Sequence, residues 1–320
     1  RNCLSCYTPH LIPPKKELLE AVESKFPLAA QVLNSAGALG NLAKDALYAA
    51  YAKSKWPAAS AATLRRPGVL KDAADNFKAI MVPTKLMYDI FVENGIKPEL
   101  ISLVPFGIDT APLEIYREKQ ARQTLQIGFI GTLFEHKGAD LLIDAFNQLP
   151  QNADAELKIY GDPKQFPEYG AKLIEQARRG LHARRIEFCG TFANERLGEV
   201  LQQLDVLVVP SRWYENTPLV IQSALATSTP LIATNLGGMA ELIHHEVNGL
   251  LFELNNVKSL QTQLLRLLQD RSLLQLLRQN IKPERTVLQM VDDIEAVYDT
   301  ILKNEPRDLA NDGLPQMTAR

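Results

Sequence analysis

Apolar and polar positions along this chain follow two regimes. In the second half, short apolar runs recur at 126–130, 157–160, 186–189, 206–209, 231–234 and 250–252. Most are separated by stretches with apolar residues at helical spacing: 139–148, 171–179, 194–203, 219–226 and 239–244. Short runs rich in Val and Ile, spaced by amphipathic helices, predict a parallel α/β sheet covered on both faces. Ligands of such sheets bind at the carboxyl ends of the strands, so the residues directly after each run carry the functional information. From Val257 onward the pattern is helical (259–269, 273–279 and 288–303), and 304–320 reads as a disordered tail.

The first half is different. Segments 17–25 and 36–55 are rich in Ala, Leu, Glu and Lys, with Pro13, Pro14 and Pro57 as breakers. The 36–55 segment carries Leu39, Leu42 and Leu47 with alanine all round, the pattern of a buried or partner-covered helix. Strands are expected at 79–82, ended by Pro83-Thr84, and at 100–104, with a helix at 85–94 stopped by Gly95. Two strands in the first 110 residues are too few for a complete α/β domain.

Length and composition narrow the function classes. A chain of 320 residues is expected to form two domains. A formal net charge of −2 argues against a nucleic-acid binder and points to small-molecule partners. Three cysteines, Cys3, Cys6 and Cys189, are too few for a disulfide framework, and a reducing, cytoplasmic setting is expected. The apolar run at 201–210 contains Asp205 and falls short of the roughly 18 residues that span a bilayer, so it reads as a buried strand. No signal peptide is evident. The chain opens on Arg1 and runs straight into mid-domain material, which predicts a fragment or a processed form.

Several run ends carry candidate chemistry. After 126–130 comes Gly131-Thr132-Leu133-Phe134-Glu135-His136-Lys137-Gly138 and then a helix. A glycine at a strand exit admits a close ligand, and helix amides beside a lysine suit a phosphate. The same residues also describe an ordinary βα turn with a surface lysine. Neither a P-loop nor a dinucleotide glycine fingerprint is present. Gly161 and Gly190 stand at two further exits; each alone is commonplace, and together they mark one rim. The richest segment is Pro210-Ser211-Arg212-Trp213-Tyr214-Glu215-Asn216-Thr217-Pro218-Leu219, which leaves a strand, presents an acid and enters a helix ending at Ala226. Asn216 or Thr217 is expected to cap that helix, with Pro218 at its first position. Glu215 is placed to accept hydrogen bonds from sugar hydroxyls, or is simply a solvated loop acid. Glu241, after Gly237-Gly238, is explained by the dipole of its own helix's first turn.

In this order the segments from about Ile80 to Gly249 resemble the family 4 retaining glycosyltransferases, whose GT-B fold sets two Rossmann-like domains face to face. The marks are Val82-Pro83-Thr84, Val104-Pro105-Phe106-Gly107-Ile108-Asp109, Gly131 with Lys137-Gly138, Gly190, the 210–226 block, Gly237-Gly238-Met239-Ala240-Glu241-Leu242 and Asn248-Gly249-Leu250. The resemblance implies a carboxy-terminal part of the acceptor-side domain at 1–110, a nucleotide-sugar domain at 111–285, a helix crossing back at 286–304 and a flexible tail at 305–320. It implies Lys137 and Glu215 as catalytic residues. Donor-binding positions would be Gly131, Thr132, Gly161, Gly190, Asn216, Thr217, Pro218, Leu219 and Ser223. It implies no metal and no cofactor beyond the nucleoside diphosphate sugar itself. The other partner would be a glycan or lipid-linked acceptor, met in the cytoplasm or through a peripheral contact at the inner face of the membrane.

Two positions depart from the family pattern. The second acid, eight residues after Glu215, is Ser223 here, which weakens ribose binding by about 1.5–3 kcal/mol. The arginine often found after the first glycine is Thr132; a protonated His136 is a partial substitute. Cys3 and Cys6 resemble half of a cysteine-rich loop, and two thiols alone make no zinc site. The expected reaction is retaining hexose transfer from a nucleoside diphosphate sugar to an acceptor hydroxyl. The alternative is a truncated or degenerate nucleotide-binding relative without catalysis. An oxidoreductase of similar sheet topology is disfavoured by the missing fingerprint.

Overall fold

The computed structural model describes residues 15–119 and 122–304. Cys3, Cys6, Pro13, Pro14 and the 305–320 tail lie outside them. Two compact units are present, the first running to Phe77 with Asn94–Ile96 added, the second comprising Lys78–Glu93 and the chain from Lys97.

The first unit is helical: α1 (Lys15–Lys25), α2 (Pro27–Ser35) and α3 (Gly37–Ala74). Contrary to expectation, α3 runs through Pro57 and Pro67 rather than breaking at the first. Proline removes one backbone donor, and its flanks here are strong helix formers; the carbonyl freed by Pro57 belongs to the exposed Lys53. Among the described residues Leu39, Leu42 and Leu47 are all exposed, so α3 does not bury this face within the described chain.

In the second unit β1 (Ile80–Val82) pairs in parallel with β2 (Ile101–Leu103), joined through α4 (Lys85–Glu93). A short helix α5 (Ala111–Glu114) leads to the main sheet. Its strands alternate with helices: β3 (Leu125–Ile130), α6 (Ala139–Asn147), β4 (Ala155–Tyr160), α7 (Pro167–Arg179), β5 (Ile186–Gly190), α8 (Leu197–Gln202), β6 (Val206–Val209), α9 (Leu219–Ala226), β7 (Leu231–Thr234), α10 (Gly237–Leu242) and β8 (Gly249–Phe252). Then follow α11 (Val257–Gln269), α12 (Arg271–Gln279) and α13 (Val287–Asn304).

All six strands are parallel in the order β5-β4-β3-β6-β7-β8. The period-2 pattern is spent on two cores. Leu125, Ile127, Val206, Val208 and Ile232 pack with α6, α7, α11 and α12 on one face. Leu207, Leu231 and Ala233 pack with α8, α9 and α10 on the other. Burial on both faces explains why these strands read as unbroken apolar runs. Asp205, which interrupts the run before β6, is buried; it accepts from the Gln126 amide at 2.9 Å and from Arg278 at 2.8 Å.

The segment after α12 ties back to the loop following β2. Ile108 bridges Thr286, its amide donating to the Arg285 carbonyl at 3.0 Å, and Arg285 Nε donates to the Pro105 carbonyl at 3.1 Å. A side chain at Gly107 would run into the Thr286 carbonyl. The apolar stripe on α13 is only partly covered, with Val291 and Tyr298 exposed.

Candidate functional site

The strand order reverses between β3 and β6, because the chain builds outward from β3 through β4 to β5 and then returns to β6 on the other side. At such a point the loops leaving the two neighbouring strands part in opposite directions and open a crevice at their carboxyl ends, where ligands of this architecture bind. The loop after β3 holds Gly131 to Gly138; the loop after β6 holds Pro210 to Pro218.

These loops meet. The first ends in a 3-10 turn, Glu135–Lys137, closed by Gly138 with φ of 73°, a left-handed conformation at a place where any side chain would collide with the Pro210 carbonyl. That tight approach brings Lys137 against the second loop. Its Nζ donates to Glu215 Oε1 at 2.6 Å, both side chains being partly buried. Ser211 Oγ donates to the same carboxylate oxygen at 2.9 Å. Lys137 and Glu215 therefore share one face and touch directly.

Arg212 makes the junction rigid. Its amide donates to the His136 carbonyl at 2.7 Å, Nη1 to the Glu135 carbonyl at 2.7 Å, and Nε to Asn255 Oδ1 at 2.8 Å. The two terminal nitrogens grip Asp140 in a fork, at 2.7 and 2.8 Å. Tyr169 donates to Asp140 Oδ1 at 2.8 Å. Burial pushes the Asp140 carboxyl up, but the hydrogen bonds from Arg212 and Tyr169 outweigh it and hold the group below the ordinary carboxylate range. Burial and the ammonium of Lys137 lower the His136 pKa, against a smaller opposing pull from Glu215. A protonated His136 in place of the missing arginine is thus disfavoured. Arg212, Asp140 and Tyr169 carry no role in the family pattern; an acid in the first turn of α6 and an arginine three residues before Glu215 are their local signals in the sequence.

The remaining rim is more varied. The Gly131 amide donates to the Tyr160 carbonyl at 3.0 Å and the Gly161 amide to the Gly190 carbonyl at 2.9 Å, so the three glycine exits lie side by side. Thr132 is half-buried between Gly131 and the buried Leu133. Asn216 Oδ1 accepts from Thr84 Oγ1 at 3.0 Å. Pro218 itself is the N-cap of α9, without a side-chain cap from Asn216 or Thr217. The helix spans Leu219–Ala226, the expected stretch, and Pro218 stands before its first position, with an extended ψ of 108°. Ser223 is buried, and its hydroxyl donates to the Leu219 carbonyl at 3.0 Å inside its own helix.

Glu241 is not in the first turn of α10. Its carboxylate instead accepts from the amides of Lys85 at 2.9 Å and Leu86 at 2.7 Å, capping the start of α4. Gly238 donates to the Glu215 carbonyl at 2.9 Å, and a side chain there would strike the Asn216 carbonyl. The backbone of the acid-bearing loop is thereby held from a third strand end.

Residues 124–270 match the family described as Glycosyl transferases group 1. An uncharacterized glycosyltransferase of Methanocaldococcus jannaschii is 33% identical over 154 residues, covering 48% of this chain and 41% of its own length. Mannosylfructose-phosphate synthase of Agrobacterium fabrum is 26% identical over 180 residues, 52% of this chain and 39% of its own. The matched part is thus less than half of either relative. Among solved structures, Anabaena HepE in complex with UDP and glucose has a TM-score of 0.64 at 18% identity, covering 90% of this chain and 84% of its own. The fold is that of the GT-B glycosyltransferases. The matched residues span the six-stranded sheet.

Proposed function

We propose that this chain takes part in retaining transfer of a hexose from a nucleoside diphosphate sugar to an acceptor hydroxyl, as a family 4 enzyme. The observation carrying the reading is the contact of Lys137 with Glu215 across the crevice between β3 and β6. Without ligand the two charges neutralise each other. A donor diphosphate entering along the Gly131 rim would take over the ammonium of Lys137, which balances negative charge growing on the leaving phosphate. Glu215, released from the lysine and still held by Ser211, would accept hydrogen bonds from the sugar ring. In this reading residues 111–285 bind the donor and the preceding segment contributes to the acceptor side. The matched relatives and neighbours are in keeping with it, the HepE structure by its bound UDP and glucose. The acceptor in this reading is a glycan or a lipid-linked molecule, met in the cytoplasm or through a peripheral contact at the inner face of the membrane; among the described residues no helix is long and apolar enough to cross one.

Calorimetry with uridine and guanosine diphosphates tests the site. Lys137→Ala is expected to weaken the better nucleotide about tenfold or more, since a charge-assisted contact is lost. Glu215→Gln should leave nucleotide affinity within about threefold and abolish donor hydrolysis or transfer. An unchanged affinity in Lys137→Ala would remove the diphosphate from this crevice.

A non-catalytic nucleotide-binding relative is the second reading, favoured by Ser223, whose buried hydroxyl is already spent on Leu219. Nucleotide binding without turnover of any donor would support it. Ser223→Glu should tighten nucleotide binding about tenfold, a regained ribose carboxylate; no change would put the ribose elsewhere.

A further inference from the structure

A row of aromatic side chains lies beside the crevice. Four rings follow one another along the rim. Phe166 meets Phe134 edge-to-face with centroids 4.5 Å apart; Phe134 is 5.1 Å from His136, and His136 is 6.2 Å from Trp213. At one end lies an open cavity of about 610 Å³, walled by Phe134 and Phe166, rimmed by Glu135, Glu168 and Lys172, and floored by Tyr169. At the other end is the loop of Glu215, where Trp213 and Tyr214 are 57% and 61% exposed. None of the rings in this row belongs to either sheet core.

The row is built on fixed backbone. Trp213 follows Arg212, whose side chain is held at four points, and the Trp213 amide donates to Ser211 Oγ at 3.2 Å. The cavity floor is secured through the hydrogen bond from Tyr169 to Asp140, and Asp140 grips Arg212. Floor and acid-bearing loop thus form one hydrogen-bonded assembly. Phe166 and Trp213 are exposed and Phe134 and His136 half-buried; such rings on rigid supports favour a ligand with flat apolar faces, because little conformational entropy is lost on contact.

We propose that this aromatic row is a saccharide subsite, holding sugar residues of the acceptor chain beyond the one that reacts. Pyranose rings present apolar C–H faces to aromatic rings, and their hydroxyls donate to carboxylates such as Glu135 and Glu168. A phosphate would face two acids against the single ammonium of Lys172, and an acyl chain would lie in a cavity open to water and rimmed by charge. Continuity with the crevice is direct, since Phe134 and Glu135 precede Lys137 in the same loop and Trp213 precedes Glu215 in the other. The subsite rests on the glycosyl-transfer reading, and its test is separable from that of the donor site.

The chain contains two tryptophans. In a Trp56→Phe background, emission of Trp213 is followed while neutral hexasaccharides (α-1,4-, β-1,4- and β-1,3-linked glucans) are titrated into the whole chain. At least one is expected to shift the emission with saturation. Phe134→Ala combined with Phe166→Ala should raise its Kd about tenfold or more, while uridine diphosphate affinity by calorimetry stays within about twofold. If the double variant does not fold, Phe166→Ala alone, at an exposed position, is expected to raise the Kd about threefold. The proposal is overturned if no glucan moves Trp213, or if the variants bind the saccharide as tightly as their parent. Loss of nucleotide binding with saccharide binding intact would count against the donor site and leave the subsite standing.

Discussion

The helical first unit and the six-stranded sheet put their apolar residues to opposite uses. In the sheet, nearly every apolar residue of β3, β6 and β7 is buried between two helical layers. In α3, Leu42 is 67% exposed, and Leu39 and Leu64 more so. Burial on both faces holds the strand ends in place, and the loops of the site leave from those ends. The 2.6 Å contact between residues 137 and 215 joins the loops leaving β3 and β6, which pair side by side. Apolar content alone therefore does not mark a rigid region; what matters is whether a second layer covers it.

The contrast is sharpest for a core side chain. Phe146 on α6 is 1% exposed and packs into the larger sheet core. Phe146→Ala is expected to cost about 3–5 kcal/mol, through lost transfer energy and an unfilled cavity. Urea denaturation followed by circular dichroism measures it, and a cost below about 1 kcal/mol would mean that the sheet core is loosely packed.

Next in size is the clamp beneath the site. Arg212→Gln leaves Asp140 partly buried with Tyr169 as its remaining side-chain donor, and should cost about 1–3 kcal/mol. Arg212→Lys keeps the charge but not the fork, so it should recover only part of the loss. If stability falls in Arg212→Gln while nucleotide affinity does not, the clamp supports the fold without setting the position of Lys137 and Glu215.

The sheet, its strand exits and its α/β class were legible because short apolar runs spaced by helical patterns, and glycines at the run ends, are local signals. The pairing of Lys137 with Glu215 was legible only as a convergence of loops on one rim; direct contact depends on which strands are neighbours. Arg212 was missed because a loop arginine looks solvated until its acid, 72 positions away, is placed beside it. Glu241 was assigned to its own helix because nothing in its neighbourhood points to amides 155 and 156 positions earlier. Pro57 was read as a breaker by the same local logic, which a long exposed helix overrides.

A smaller effect separates pH from packing. Burial raises the Glu284 pKa from 4.5 to about 7, in the segment that ties back to Gly107. The folded state then holds more protons than the unfolded one between those two values, so this group lowers stability as pH rises from 4.5 to 7. Glu284→Gln should be stabilising at pH 8, on the order of 1 kcal/mol, and neutral near pH 4. Lys119 works in the opposite direction. Burial, with Arg278 adding to it, lowers its pKa to about 7, although it donates to the Leu201 carbonyl and Thr229 at 2.6 Å. Its contribution to stability rises between pH 7 and 10.5, and Lys119→Met should flatten that rise. Equal pH profiles for both variants and the parent would show that neither group is desolvated in solution.

The smallest effect returns to the helices. Leu42 lies on α3 with most of its side chain in water, so Leu42→Ala gives up little buried area and gains helix propensity. Its expected cost is within about 0.5 kcal/mol of zero, independent of protein concentration. A cost approaching that of Phe146→Ala would mean that the exposed face of α3 is covered in solution. Repeating the measurement across a hundredfold range of concentration then decides the source of the cover. A cost that grows with concentration places a second copy on the helix, and a constant one requires cover from within the chain itself.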